Sequence, residues 1–205
     1  AVAFANRVLS YGGARRAVGP GQYTPVCTER GVRRYDRHAY RRADQTARLV
    51  INASRMGVDG PWGEQQVASG VWAGGTTLQN VSDTTAAVAV QGPKVAGFID
   101  AVFPAPALGG AVVTRPGELK KNQVASFDFA GTPVWVGRTG YTGEDGFEVI
   151  APAAAIVAVW DRIMQAGQSS GLKAAGLGAR DTLRTEACFP LYGHELDEDT
   201  TPRGG

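Results

Sequence analysis

The clearest pattern of apolar and polar positions lies in the second half of the chain. Residues 86–90 (AAVAV) form a short apolar run that predicts a buried strand. After Gly92-Pro93, a dipeptide suited to a helix start, apolar side chains recur at the helical positions 95, 98, 99, 102 and 103. A second helical stripe follows Pro152, at positions 156, 159, 160, 163 and 164. Two helices are therefore predicted, each with one side facing a core.

Strand patterns lie between these two helices. Residues 123–129 alternate apolar and polar side chains, residues 130–133 suit a turn, and residues 134–136 return as a strand. Residues 147–150 predict a further strand. The order strand, helix, hairpin, strand, helix indicates an α+β fold. We expect residues 84–205 to form a split β-α-β (ferredoxin-like) lobe with helices on one face of an antiparallel sheet.

The first half of the chain has a weaker pattern. Residues 47–52 (ARLVIN) predict a short buried strand, and the glycine-rich residues 57–77 predict loop with a short helix near residues 63–69. Seven arginines crowd residues 30–48, and such a stretch is expected to make a poor buried strand. We therefore expect residues 1–83 to form a second, irregular α/β lobe.

Composition narrows the class of protein. The 205 residues are 43% apolar and 20% charged with a net charge of +2, which is ordinary for a globular protein and favours neither nucleic acid nor membrane as a partner. No apolar run reaches the 18 residues that would suggest a membrane span. Two cysteines without C-x-x-C spacing indicate a reduced, cytoplasmic setting.

Two polar segments are candidates for chemistry. Residues 138–148 are rich in glycine, acids and aromatics between two strands, so they could carry a stacking ring and a carboxylate, although composition alone favours a solvated turn. In residues 178–186, Arg180 and Arg184 share a helix face with Asp181 at the helix start, a pattern that favours a solvated, ion-paired face. His38 and His194 have no partners at ligand spacing, so no metal site is predicted.

Longer motifs carry a resemblance to a known family. The runs GRTGYTGEDGFEV (137–149) and GLGARDTLRTEACFPLYGHELDEDTTP (176–202) are similar to the glycine cleavage T protein (aminomethyltransferase) family. QGPK (91–94), VINAS (50–54) and YTPVCTERG (23–31) match its pattern in the same order. The resemblance covers nearly the whole chain. Relative to the family, the chain looks truncated at both ends.

The resemblance implies an activity and a fold. The family transfers the one-carbon unit of an aminomethyl-dihydrolipoyl carrier, the lipoylated H protein, to tetrahydrofolate, and ammonia is released. Tetrahydrofolate is a co-substrate, and no metal is required. The implied fold is a fragment of the folate-binding T-protein fold: residues 1–83 would form part of the N-terminal folate channel, residues 84–205 would carry the GYTGEDG and ARD motifs, and the C-terminal β-barrel domain would be missing.

Family positions also imply roles for individual residues. Glu148 matches the carboxylate that accepts hydrogen bonds from the pterin, and Tyr141 matches an aromatic residue of the same pocket. Arg180 matches a basic residue at the substrate site, and Asn52 an amide that reaches the pterin. Asp36 is the best match to the acid that positions the reacting nitrogen, although Tyr35 replaces an acid usually found beside it.

Other functions remain open at this point. The chain could be a non-catalytic folate-binding module or an inactive fragment of the family. It could also be the folate domain of a sarcosine or dimethylglycine dehydrogenase, although the run LYGHELDEDTTP favours the T protein. Nucleic-acid binding through the arginines of residues 30–48 rests on charge alone and ranks last.

Overall fold

The chain divides into two compact units, residues 1–80 with 190–205 and residues 81–189. The structure is a computed structural model, which describes residues 4–5, 8–9, 18–27, 33–43, 45–69, 75–197 and 199–201. The boundary expected between residues 83 and 84 stays a prediction. Each unit is described below by itself.

The first unit contains a three-stranded antiparallel sheet. Its strands are β1 (Gly21–Cys27), β2 (Arg33–Ala43) and β3 (Thr46–Val50), adjacent in chain order. A short 3-10 helix (Ala53–Arg55) leads into helix α1 (Met56–Ala68). The expectation of loop in residues 57–77 was wrong for the first half of α1, whereas the short helix expected near residues 63–69 corresponds to the second half of α1. Three glycines and Pro61 interrupt the apolar pattern, which is why periodicity did not indicate the full helix.

The arginine-rich stretch forms a strand, contrary to the expectation from its composition. Residues Arg33–Ala43 make up the central strand β2, which pairs with β1 on one side and β3 on the other. A central strand gains backbone hydrogen bonds on both edges, and these outweigh the low strand propensity of single side chains. Arg42 and Arg48 are half-buried, an arrangement that the long apolar stem of arginine permits.

A small apolar core supports the first unit. It joins Val26 of β1 to residues from both ends of the chain, and its buried members are Phe4, Ala5, Val8, Leu9, Val26, Tyr192 and Leu196. Ala39 of β2 and Trp62 of α1 pack against this cluster. Tyr192 and Leu196, which the sequence grouped with the second lobe, thus pack in the first unit.

The second unit is built on a five-stranded antiparallel sheet. The strands are β4 (Thr85–Gln91), β5 (Gly109–Gly110), β6 (Val124–Phe129), β7 (Thr132–Gly137) and β8 (Gly146–Pro152), in the spatial order β4-β8-β7-β6-β5. The hairpin predicted from the alternating pattern of residues 123–129 is confirmed, because β6 and β7 are paired antiparallel neighbours. Its two-residue turn uses positive φ angles of 50° at Ala130 and 82° at Gly131, which suit the twist of paired strands.

Two helices of the second unit contribute to the core of this sheet, and a third follows them in the chain. Helix α2 (Ile99–Val102) follows a 3-10 turn (Val95–Gly97), α3 is Ile156–Gly167, and α4 is Leu177–Glu186. Helix α2 is shorter than the helix predicted after Pro93. All five apolar positions of that prediction, 95, 98, 99, 102 and 103, are nevertheless buried. Pro152 ends β8 rather than opening α3. The α+β class is confirmed. Within the described ranges, no helix is both long and apolar enough to cross a bilayer.

Candidate functional site

The loop between β7 and β8, residues 138–145, is organised by one amide from another strand. Gln91, the last residue of β4, donates from Nε2 to the carbonyl oxygens of Thr139 at 3.0 Å and Phe147 at 3.2 Å. Its Oε1 accepts a hydrogen bond from Thr142 Oγ1 at 3.3 Å. These contacts hold the loop on both sides of Tyr141 and tie it to the start of β8.

An ion pair closes the two ends of the same loop. Arg138 donates to both carboxylate oxygens of Asp145, from Nε at 2.9 Å and Nη2 at 2.6 Å. Its Nη1 also donates to the carbonyl oxygens of Gly117 and Leu119. The hydrogen bond from Arg138 lowers the pKa of Asp145, and the same bond raises the pKa of Arg138. The Arg138–Asp145 pair therefore fixes the two ends of the loop, in addition to the hydrogen bonds that Gln91 makes to it.

Tyr141 lies among side chains from α4 and the segment after it. Its ring stacks on Phe189 with centroids 5.6 Å apart and planes inclined by 30°. The guanidinium carbon of Arg180 lies 5.1 Å from the centre of the Tyr141 ring. Tyr141 is half-buried and Arg180 is exposed. The structure thus brings two of the predicted site residues into direct contact, in an arrangement typical of cation–π pairs.

Glu148 joins this loop through a hydrogen bond. It lies on β8, in register with Ala89 of β4 and Gly137 of β7, and is half-buried. One carboxylate oxygen, Oε2, accepts a hydrogen bond from the hydroxyl of Thr139. The carboxylate is thus connected to the residue two positions before Tyr141. A rigid sheet carries the acid, and an anchored loop carries the aromatic ring.

Arg184 supports the aromatic stack from within the second unit. Its side chain is only 5% exposed, and its Nε and Nη2 both lie 2.8 Å from Oδ1 of Asp181. Its Nη1 donates to the carbonyl oxygen of Phe189 at 3.3 Å. The expected ion pair is confirmed, but the expected solvated face is wrong for Arg184, which is buried. A charge so buried needs partners, and the Phe189 backbone is one of them.

Asp36 and Asn52 belong to the first unit. Asp36 lies on β2 opposite Pro25, and its side chain is outside the described part of the chain. Asn52 is half-buried two residues after β3, where its carbonyl oxygen begins the 3-10 turn. His38 pairs with Val50 in the β2–β3 ladder. This is the last pair of the ladder, and Asp36 and Asn52 each lie two residues beyond it in the sequence, at the same end of the β2–β3 pair.

Four residues of the second unit were not singled out from the sequence as site residues: Gln91, Thr139, Arg184 and Phe189. The one available signal was Gln91, a polar residue that ends an apolar strand directly before Gly92. Neither Cys27 nor Cys188, both within the described part of the chain, is in a disulfide bond. Among the described residues, no group of three or more His, Cys, Asp or Glu side chains could hold a metal ion. The side chains that meet in the second unit are a carboxylate, aromatic rings and guanidinium groups.

Comparison with known proteins decides the family. The model described as "GCVT N-terminal domain" matches residues 1–204. The chain belongs to this family. The chain is 40% identical over 205 residues to "Aminomethyltransferase" from Bacillus cereus (strain B4264) and to the protein of the same name from Bacillus anthracis (strain A0248). Each match covers 98% of this chain and 51% of the relative.

A solved structure agrees with the sequence relatives. The chain superposes with a TM-score of 0.78 and 27% identity on the crystal structure of glycine cleavage system aminomethyltransferase T from Bartonella henselae. The match covers 98% of this chain and 50% of that one. The resemblance inferred from the motifs is thus confirmed. The chain spans about half the length of the relatives it matches.

Proposed function

We propose that this chain binds tetrahydrofolate and serves an aminomethyltransferase of the glycine cleavage system. The one-carbon unit of an aminomethyl-dihydrolipoyl group on the H carrier protein would pass to tetrahydrofolate, with release of ammonia. Membership of the GCVT family supports this reaction class. The two cysteines, which lack C-x-x-C spacing, suit action in a reducing cytoplasm.

The observation that carries the proposal is the hydrogen bond from Thr139 to Glu148, which connects the carboxylate to the loop that carries Tyr141. A pterin ring offers adjacent N–H donors along one edge, and a carboxylate accepts two such bonds with good geometry. Glu148 lies on a strand, half-buried, with one oxygen already held by Thr139. A carboxylate fixed in this way recognises a flat ligand edge better than one on a mobile side chain.

Tyr141 and Arg180 suit the remainder of such a ligand. Tyr141 offers a ring held by Phe189, and a conjugated ligand gains from lying close to it. Arg180 is exposed beside that ring and presents a planar group with several donors. Such a guanidinium pairs with a carbonyl or carboxylate oxygen of the substrate. We assign both residues to substrate binding.

Asp36 and Asn52 complete the proposed set. In the transfer step, a carboxylate near the folate amines would position the attacking nitrogen and stabilise positive charge that develops on the one-carbon donor. We assign that role to Asp36 and assign an amide contact with the pterin to Asn52. Support comes from their family positions and from their common end of the β2–β3 pair.

Calorimetric titration of the 205-residue chain with tetrahydrofolate, under anaerobic conditions, tests the binding part. We expect micromolar affinity, on the order of −8 kcal/mol. Glu148→Gln should weaken binding by about ten- to a hundredfold, because the amide presents donors where the ligand also has donors. Glu144→Gln, at an exposed acid of the same loop, is the matched control and should bind normally. A folded chain that does not bind, or equal losses in both variants, contradicts the proposal.

The transfer step needs a separate test. Incubation of the chain with aminomethylated carrier and tetrahydrofolate should release ammonia and form methylenetetrahydrofolate. Asp36→Asn should slow this reaction by at least about a hundredfold while the affinity for tetrahydrofolate stays near normal. Binding without any transfer would instead identify the chain as a non-catalytic folate-binding module.

A further inference from the structure

We infer that Thr139 is a positioning residue whose buried hydroxyl sets the orientation of the Glu148 carboxylate for its ligand. The inference rests on the proposed function, because it concerns the carboxylate that would bind tetrahydrofolate. It adds a residue to the site that neither the motifs nor the family match singled out. Thr139 itself does not contact the ligand in this assignment.

Thr139 is held from two directions. Its side chain is almost fully buried, with 6% exposure, and its hydroxyl donates to Oε2 of Glu148. Its carbonyl oxygen accepts the hydrogen bond from Gln91 at 3.0 Å. A β-branched side chain has few accessible rotamers, so a fixed backbone also fixes its hydroxyl. The hydroxyl that donates to Glu148 therefore belongs to a residue whose backbone is hydrogen-bonded to Gln91 of the neighbouring strand β4.

This contact leaves the carboxylate able to bind. An ionised carboxylate has about four acceptor positions on its two oxygens, so one bond from Thr139 leaves room for two donors of a ligand edge. A glutamate side chain otherwise loses rotamer freedom when a ligand orders it. Ordering by Thr139 before binding removes part of that cost from the binding step. The expected consequence is tighter binding without an additional ligand contact.

A purely structural role for Thr139 gives a different pattern of effects. If its hydroxyl only stabilised the loop, its loss would weaken binding whether or not residue 148 is a carboxylate. If it acts through Glu148, its loss should matter only when that carboxylate is present. A double-mutant cycle separates these two cases, because coupled residues give non-additive effects.

The experiment uses the full chain and calorimetric titration with tetrahydrofolate. Thr139→Val keeps the shape and removes the donor, and Thr139→Ser keeps the donor. We expect about tenfold weaker binding for Thr139→Val and less than about a twofold change for Thr139→Ser. In the Glu148→Gln background, Thr139→Val should add no further loss. Unchanged binding in Thr139→Val, or a full additional loss in the Glu148→Gln background, overturns the inference.

A measurement without ligand keeps this inference distinguishable from the proposed function. The carbon-13 resonance of the Glu148 carboxyl group should move in Thr139→Val and stay near its normal position in Thr139→Ser. An unmoved resonance in Thr139→Val overturns the inference even if the chain binds tetrahydrofolate. If the resonance moves in Thr139→Val but the wild-type chain does not bind tetrahydrofolate, the proposed function is overturned, and with it the role of the contact in ligand binding.

Discussion

Gly140 lies directly against the side-chain amide of Gln91: a Cβ atom at position 140 would be 1.8 Å from Oε1 of Gln91. No side chain beyond hydrogen fits such an approach without movement of the amide. The amide is not easily moved, because it donates hydrogen bonds to the carbonyl oxygens of Thr139 and Phe147. Glycine at position 140 therefore lets one residue of β4 organise the loop that carries Tyr141.

Replacement of Gly140 by alanine should destabilise the second unit. We expect a loss of about 2 kcal/mol in the free energy of unfolding, because the added methyl group displaces the Gln91 amide from its hydrogen bonds. Gly178→Ala is the matched control, since a Cβ atom there meets nothing within 4 Å on helix α4. The control should gain a few tenths of a kcal/mol from helix propensity. Urea denaturation measures both; equal effects would contradict the close approach.

The ion pair of Arg138 and Asp145 should make stability depend on pH in the acid range. Interaction with Arg138 lowers the pKa of Asp145 below its ordinary value of 3.8. A carboxyl group whose pKa is lowered on folding contributes stability that is complete above the ordinary value and is lost as pH falls through the lowered one. The Asp145 side chain is 43% exposed, so solvent screening keeps this contribution below about 1 kcal/mol.

Urea denaturation at a series of pH values tests this dependence with Asp145→Asn. The variant should be less stable than wild type at pH 7, and the difference should shrink as pH falls below about 4. Glu144→Gln, at an exposed acid of the same loop, is the matched control for removal of a charge. A stability difference for Asp145→Asn that persists unchanged into acid would mean that loss of charge is not the cause.

Sequence patterns predicted the second unit better than the first, for a physical reason. The β6–β7 hairpin has regular alternation and a turn with Gly131, and helix α3 has an apolar stripe with Val159 and Ile163 in the core. Helix α1 has glycines along its length, and its weak apolar pattern predicted only a short helix near residues 63–69. Strand β2 depends on backbone pairing with both neighbours, which no property of its arginines reveals.

The candidate site was predictable only in part. Glu148, Tyr141 and Arg180 came from family motifs, because composition alone indicated a solvated turn and a solvated helix face. Gln91 bonds to carbonyl groups 48 and 56 residues further along the chain, and local patterns carry no information on contacts at such separations. The burial of Arg184 was missed for a different reason: Phe189 lies only five residues further on, but it meets Arg184 because the chain turns after α4, and helical spacing does not predict that turn.

The core of the second unit should tolerate little loss of volume. Val134 on β7 is fully buried, whereas Val112 is fully exposed. The same change, valine to alanine, removes two methyl groups at both positions. We expect Val134→Ala to cost about 2 kcal/mol through lost burial and an incompletely filled cavity, and Val112→Ala to change stability by less than about 0.5 kcal/mol. Thermal unfolding followed by circular dichroism measures both, and similar shifts in the two variants would contradict the assigned burial.

The ring of Tyr141, rather than its hydroxyl group, should determine its effect on ligand binding. The hydroxyl lies 3.4 Å from the carbonyl oxygen of Phe189, at the outer limit for a hydrogen bond, whereas the ring stacks on Phe189 and lies beside Arg180. Tyr141→Phe keeps those ring contacts, and Tyr141→Leu keeps apolar bulk without the aromatic face.

We therefore expect Tyr141→Phe to bind tetrahydrofolate within about twofold of wild type and Tyr141→Leu to bind about tenfold more weakly, a difference of roughly 1 kcal/mol. Titration calorimetry at one pH and salt concentration compares the three proteins directly. Arg180→Lys extends the test, because lysine keeps the charge but loses the planar group that lies against the ring. If Tyr141→Phe bound as weakly as Tyr141→Leu, the hydroxyl would be the ligand contact, and the stack with Phe189 would serve only to place it.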